Sequence, residues 1–177
     1  SKLSFNKVHT KEIWLRNKLK TPNYLKLSDN ISSKDIKEMF DEKFILKPCE
    51  SGSSVGIKIF DSANFYSSSC ADILKKLSLN SANVHEYFIE EFITAPEYTA
   101  PIINNEVFPI IKIETKREFY NYEAKYLDND TIFSFPEFSE DVHENINLIC
   151  MKAFNSMGCS NWGRVDFFMD KDSSINL

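Results

Sequence analysis

Four short segments of this 177-residue chain combine residue types that can handle phosphate, a metal ion or a reacting carbonyl. The first is Lys47-Pro48-Cys49-Glu50-Ser51-Gly52-Ser53-Ser54-Val55-Gly56. A flexible turn of small and hydroxyl residues between two strands lets several backbone N–H groups point at one anion. Lys47 on the incoming strand could set a point charge against phosphate. The segment is not a P-loop, because G-x-x-x-x-G-K is absent and the turn leads to a strand rather than a helix. A plain hairpin loop would use the same residues. The second segment is Tyr87-Phe88-Ile89-Glu90-Glu91-Phe92-Ile93, followed by Ala95-Pro96-Glu97-Tyr98. An apolar strand leading out through exposed backbone groups can hold a flat heterocycle, and a carboxylate beyond it can bind ribose hydroxyls. The plain alternative is a strand with solvated glutamates.

The third segment, Phe119-Tyr120-Asn121-Tyr122-Glu123-Ala124-Lys125-Tyr126, sets a lysine among tyrosines. On a closing loop these could cover a charged reaction centre and exclude water; as a packed aromatic cluster they would do neither. The fourth is Trp162-Gly163-Arg164-Val165-Asp166, where strand alternation puts Arg164 and Asp166 on one face. A simple salt bridge is one reading. The sharper one has Asp166 binding Mg²⁺ that bridges ATP phosphates, while Arg164 stabilises developing negative charge.

The elements that must position these groups follow from periodicity. Residues 7–19 predict a helix, with Val8, Trp14, Leu15 and Leu19 as an imperfect apolar stripe and Pro22 beyond it. Phe44-Ile45-Leu46 and Val55 to Phe60 predict a hairpin around the first segment. A helix is expected over 63–77, a strand over His85 to Ile93, and a second hairpin, Tyr98 to Ile103 with Glu106 to Ile113, across the turn pair Asn104-Asn105. Residues 115–138 show no clean period, as a functional or disordered loop would. Val142, Ile146, Ile149, Ala153 and Met157 mark one face of a helix over 142–157 that Gly158 stops. Val165 to Met169 reads as a strand, turned by Asp170 to Ser174 into Ile175-Asn176-Leu177. Strands interleave with helices without internal repeat, which makes the fold class α+β.

Composition narrows the classes of function. A net charge of -5 argues against broad capture of nucleic acid or anionic membrane. No apolar run reaches the roughly 18 residues of a membrane span, and the lysine-rich start lacks the apolar core of a signal peptide. Cys49, Cys70, Cys150 and Cys159 form no C-x-x-C pair, so free thiols in a reducing cytoplasm are expected. The four glycines all fall in two short stretches, 51–56 and 158–163, and one of only three arginines, Arg164, directly follows the second.

In order and spacing these segments resemble the D-alanine–D-alanine ligases of the ATP-grasp superfamily. The resemblance runs from Ser1 to Leu177 through "NKVHTKEIW", "ILKPCESGSSVGI", "FIEEFITAPEYT", "FYNYEAKYLDNDT" and "GCSNWGRVDFFMD". It implies an ATP-grasp fold of mainly antiparallel sheets with packed helices, with residues 1–96 as the central nucleotide-binding subdomain and 97–177 as the first part of the C-terminal catalytic subdomain. Lys7 and Lys47 would contact ATP phosphates, and Gly52, Ser53 and Ser54 would form the loop that closes over them. Glu90, Glu91, Phe92 and Ile93 would frame adenine, largely by backbone groups, and Glu97 would hold the ribose. Lys125 would stand near the transferred phosphate, and Tyr126 would bond Ser53 and help position the first D-alanine. Arg164 would stabilise the oxyanion and Asp166 would bind Mg²⁺ or Mn²⁺.

The implied reaction is ATP-dependent ligation of two D-alanines for peptidoglycan, by a cytoplasmic homodimer with neither nucleic acid nor membrane as partner. Sibling readings are a D-alanine–D-lactate ligase and a nucleotide-binding remnant without ligase activity. Two residues depart from the family pattern: Ser51, where a Glu is usual, and Glu91, where a Lys is frequent. The strand opening at Ile175 holds three residues, and the family's Leu-Glu-x-Asn would start at or beyond Leu177. The chain is therefore expected to be a fragment, inactive by itself.

Overall fold

Residues 3–28, 30–52, 55–65, 69–79, 83–115 and 131–177 are described by a computed structural model. The described chain is α+β and divides into two contact units, one of residues 6–8 and 22–93 and the other of residues 1–5, 9–21 and 94–177. Helix α1 (Lys7–Arg16) gives its first two residues to the former and the others to the latter.

The unit holding residues 22–93 is built on an antiparallel sheet in the order β1-β4-β2-β3, from β1 (Tyr24–Lys26), β2 (Lys43–Pro48), β3 (Lys58–Asp61) and β4 (Tyr87–Glu91). Phe44, Ile45 and Leu46 are all buried in β2, which is why this central strand reads as an apolar run instead of an alternation. Phe44, Leu46 and Ile89 face a core completed by Ile36 and Phe40 from α2 (Ser33–Met39) and its C-cap, and by Ile73 and Leu77 from α3 (Cys70–Lys76) and its C-cap. The opposite face carries Ile45, Lys47, Phe88 and Glu90, paired as Ile45 with Glu90 and Lys47 with Phe88.

Boundaries differ from expectation for local reasons: the strand expected over His85 to Ile93 is confined to Tyr87–Glu91, behind a 3-10 turn at Val84–Glu86. The strand expected from Val55 begins only at Lys58, because Gly56 turns the backbone left-handed at φ +76°. The helix expected over 63–77 is a 3-10 turn at Ser62–Phe65 followed by α3, whose fresh start is marked by the Ser69 hydroxyl accepting the Asp72 N–H at 3.2 Å.

The other unit has a six-stranded antiparallel sheet. Its strands are β5 (Glu97–Ile103), β6 (Glu106–Val107), β7 (Ile111–Glu114), β8 (Ile132–Ser134), β9 (Trp162–Met169) and β10 (Ile175–Asn176). The order is β10-β9-β5-β7-β8, with β6 folded back on β5. Asn104 and Asn105 both take positive φ, 50° and 64°, the primed turn that matches strand twist. Helix α4 (Glu140–Ser156) lays Ile146, Cys150, Ala153 and Phe154 on Tyr98, Ala100, Ile102, Val165 and Phe167, and Gly158 at φ +62° ends it. The register of β5 against β9 sets Glu97 opposite Phe168, Thr99 opposite Asp166, Pro101 opposite Arg164 and Ile103 opposite Trp162, all on the face away from α4.

Helix α1 ends at Arg16, earlier than its expected 7–19 span. Lys18 turns back at φ 58°, and Leu19, now buried, donates its N–H to the Trp14 carbonyl at 3.0 Å. The irregular stripe is resolved by Leu15 being exposed while Thr10 and Lys11 are buried, with Lys11 Nζ donating to Thr21 Oγ1 at 3.0 Å.

Candidate functional site

In the unit of residues 22–93, the candidate groups gather at the end of β2. Lys47 Nζ pairs with the Glu90 carboxylate across the strands, and Glu90 is only 4% exposed. The side chain of Glu90 is thus directed at Lys47, which leaves the framing of a heterocycle to backbone groups. Lys7, first residue of α1, donates from Nζ to the carbonyls of Pro48 at 3.0 Å and Ser51 at 2.7 Å. Burial, and next the nearby Lys47, lower its pKa below the ordinary lysine value. The backbone joins the same two segments, the Lys7 N–H donating to the Cys49 carbonyl at 2.9 Å. Burial pushes the Cys49 thiol up, against the opposing pull of Lys7.

Gly52 accepts the Val55 N–H at 3.2 Å, and a Cβ added to Gly52 would meet nothing within 4 Å. Ser51 donates its hydroxyl to the Val55 carbonyl at 3.3 Å. Ser53 and Ser54 lie outside the described residues, as do Lys125 and Tyr126. Further along, the Glu91 carboxylate accepts the Asn23 N–H at 3.3 Å, and the Glu91 N–H donates to the Asn23 carbonyl at 2.8 Å. Phe92 donates its N–H to the Lys43 carbonyl at 3.2 Å. Glu91, Phe92 and Ile93 are half-buried, a short run of backbone at the rim of the sheet.

In the other unit, Arg164 and Asp166 stand on the open face of β9 with Nη2 and Oδ2 3.1 Å apart. Their side chains are 65% and 43% exposed. The second carboxylate oxygen is not free: Thr99 Oγ1 donates to Asp166 Oδ1 at 2.7 Å. Thr99 is buried, and Glu97, two residues before it on the same face of β5, is half-buried. Sequence reasoning passed over Thr99. Its signal was a lone hydroxyl in the run Tyr98-Thr99-Ala100-Pro101-Ile102, and only the β5–β9 register reveals which residue that hydroxyl meets.

The donors present set what kind of metal site the chain can offer. Among the described residues no group of three or more His, Cys, Asp or Glu side chains could hold an ion. Asp166 supplies one carboxylate on an open surface. Mg²⁺ retains waters and takes one or two carboxylates together with phosphate oxygens, so the donor fits an ion shared with a phosphorylated substrate. It does not fit a closed structural site. Among the described residues no helix is long and apolar enough to cross a membrane.

A family model described as the D-ala D-ala ligase C-terminus matches residues 16–177. D-alanine–D-alanine ligase B of Xanthomonas campestris pv. campestris is 33% identical over 174 residues, which is 96% of this chain and 52% of that protein. D-alanine–D-alanine ligase of Xylella fastidiosa is 32% identical over 177 residues, covering 98% of this chain and 56% of its own length. The crystal structure of D-alanine–D-alanine ligase from Bacillus anthracis superposes with a TM-score of 0.74 at 25% identity, covering 98% of this chain and 57% of that one. A second structure of that ligase, complexed with ATP, gives 0.75 at 21% identity, covering 98% of this chain and 53% of that one. The chain spans about half the length of the curated relatives it matches. With a family model covering nearly all of its residues and the same α+β fold in its structural neighbours, the chain belongs to the D-alanine–D-alanine ligase C-terminal family.

Proposed function

We propose that the protein carrying this chain joins two D-alanine molecules, using ATP, to give D-alanyl-D-alanine. The observation that carries the reading is the Arg164 and Asp166 pair on the open face of β9, in a chain whose relatives are named D-alanine–D-alanine ligases. A similar ligase binds ATP in its crystal structure, which supports ATP as the phosphoryl donor.

In the first step a carboxylate oxygen of one D-alanine attacks the γ-phosphorus, forming an acyl phosphate and releasing ADP. Lys7 and Lys47 serve this step by placing positive charge against the phosphates, and positioning with charge neutralisation is most of what phosphoryl transfer requires. Lys47 is pre-set by Glu90, and Lys7 by the carbonyls of Pro48 and Ser51. Bound Mg²⁺ or Mn²⁺ would supply further neutralisation at the phosphate oxygens, with Asp166 as the described residue that would hold it. The rim backbone of Glu91, Phe92 and Ile93 would receive adenine, and Glu97 the ribose. In the second step the amine of another D-alanine attacks the acyl carbon and phosphate leaves. Arg164 stabilises the oxyanion formed on the way. Ser53, Ser54, Lys125 and Tyr126 complete this assignment as closing-loop and substrate-positioning groups.

The dipeptide would enter peptidoglycan synthesis in the cytoplasm, made by a homodimer. The test is phosphate release by the full-length protein with ATP, Mg²⁺ and D-alanine. Release should depend on D-alanine, and Arg164→Ala should lower it by about a hundredfold or more, as expected for loss of an oxyanion donor. Bound ATP with no D-alanine-dependent release would leave a nucleotide-binding remnant, and an ester product formed preferentially from D-lactate would move the assignment to the sibling ligase.

A further inference from the structure

Asp166 has two carboxylate oxygens, and each has a different partner. Oδ1 accepts the hydroxyl of Thr99, a buried residue directly opposite it in the β5–β9 register. Oδ2 meets the guanidinium of Arg164, two residues away on the same exposed strand face. The two contacts differ in kind. The first, at 2.7 Å from a packed side chain, is short and charge-assisted. The second joins a 65%-exposed Arg to a 43%-exposed Asp, an arrangement that contributes little net stability. Arg164 is itself opposite Pro101, whose side chain carries no acceptor.

We infer that Thr99 is a positioning residue that pins Asp166 Oδ1 and so leaves Oδ2 as the single oxygen for which Arg164 and a divalent cation compete. This rests on the ligase reading and deepens it. Arg164 Nη2 lies 3.1 Å from Oδ2, so a cation coordinated there would meet the guanidinium's positive charge at the same oxygen.

The test is Mn²⁺ binding to the full-length protein with a non-hydrolysable ATP analogue, followed by the electron paramagnetic resonance of free Mn²⁺. Thr99→Val keeps the side-chain shape and removes the hydroxyl; it should weaken Mn²⁺ binding by about tenfold, as loss of a residue that orients a metal ligand does, and Thr99→Ser should restore most of it. Arg164→Ala, at an exposed position that cannot endanger the core, should tighten Mn²⁺ binding because the competitor is gone. Unchanged affinity in Thr99→Val, or unchanged or weakened affinity in Arg164→Ala, would overturn the inference while leaving the ligase reading intact. A parent protein that binds no Mn²⁺ with the analogue, and releases no phosphate with D-alanine, would overturn both.

Discussion

Glu90 carries a carboxylate at 4% exposure, and the interior tolerates it with the Lys47 ammonium laid against it. A buried pair of this kind is poor evidence of stability in itself, but removing one member is costly. Lys47→Met should lower stability by about 3 kcal/mol in urea denaturation, while the double variant Lys47→Met/Glu90→Gln should recover most of the loss. A midpoint left unmoved by the single change would show that the pair does not position Lys47. At this scale the sequence was legible wherever a rule of short range applied. Alternation alone puts Arg164 beside Asp166, and the structure finds them 3.1 Å apart. The partners that hold the charged groups still were not legible: Thr99 for Asp166, Glu90 for Lys47, and two main-chain carbonyls for Lys7 are 67, 43 and 41 to 44 residues distant.

Between elements, the fit of α4 on β9 turns on one glycine. A Cβ at Gly163 would come within 2.8 Å of Phe154 Cε2, and Phe154 is buried. Gly163→Ala should therefore cost about 1–3 kcal/mol by overpacking, read as a lower thermal midpoint, and a second change, Phe154→Leu, should relieve part of it. Additive losses in the double variant would place the cost elsewhere. Element types were legible from period and turn chemistry, as Asn104-Asn105 and the α4 stripe demonstrate. Element ends followed single residues that no period contains: Lys18 stops α1, Gly56 delays β3 and Ser69 restarts α3. Strand β1 and helix α2 had no reading at all, and strand β8 (Ile132–Ser134) stands inside the 115–138 stretch expected to be an irregular loop. The Ser32 to Asp35 capping box before α2 was a usable signal for one of them.

At the scale of the whole molecule, each unit carries its own apolar core. Cys150 is fully buried in one of them, and burial pushes its thiol from an ordinary 9.0 up to about 12. The folded state therefore keeps a proton that the unfolded chain releases above pH 9.0, so this contribution is intact below that pH and is lost as pH rises towards about 12. Within that window stability should fall by up to about 1.4 kcal/mol per pH unit, and Cys150→Ala should remove this slope although its cavity lowers stability at every pH. Urea denaturation of both proteins at about pH 8 and about pH 10 checks the sign. Equal slopes would mean that the thiol is not sheltered in the native state.

By itself the sequence determined the α+β class, the β2–β3 hairpin, the turn at Asn104-Asn105, the long helix α4 and the family, because each depends on residue type at short and regular spacing; the single strand expected over Glu106 to Ile113 is instead divided into β6 and β7. The tertiary structure alone decided the strand order β10-β9-β5-β7-β8, the burial of Lys11, the contact of Gly163 with Phe154 and the hydroxyl that pins Asp166. The strand order and the Thr99 contact depend on register between strands distant in the chain, which is set by the summed burial of a whole sheet face, and the other two on how helices pack. No local pattern encodes that sum.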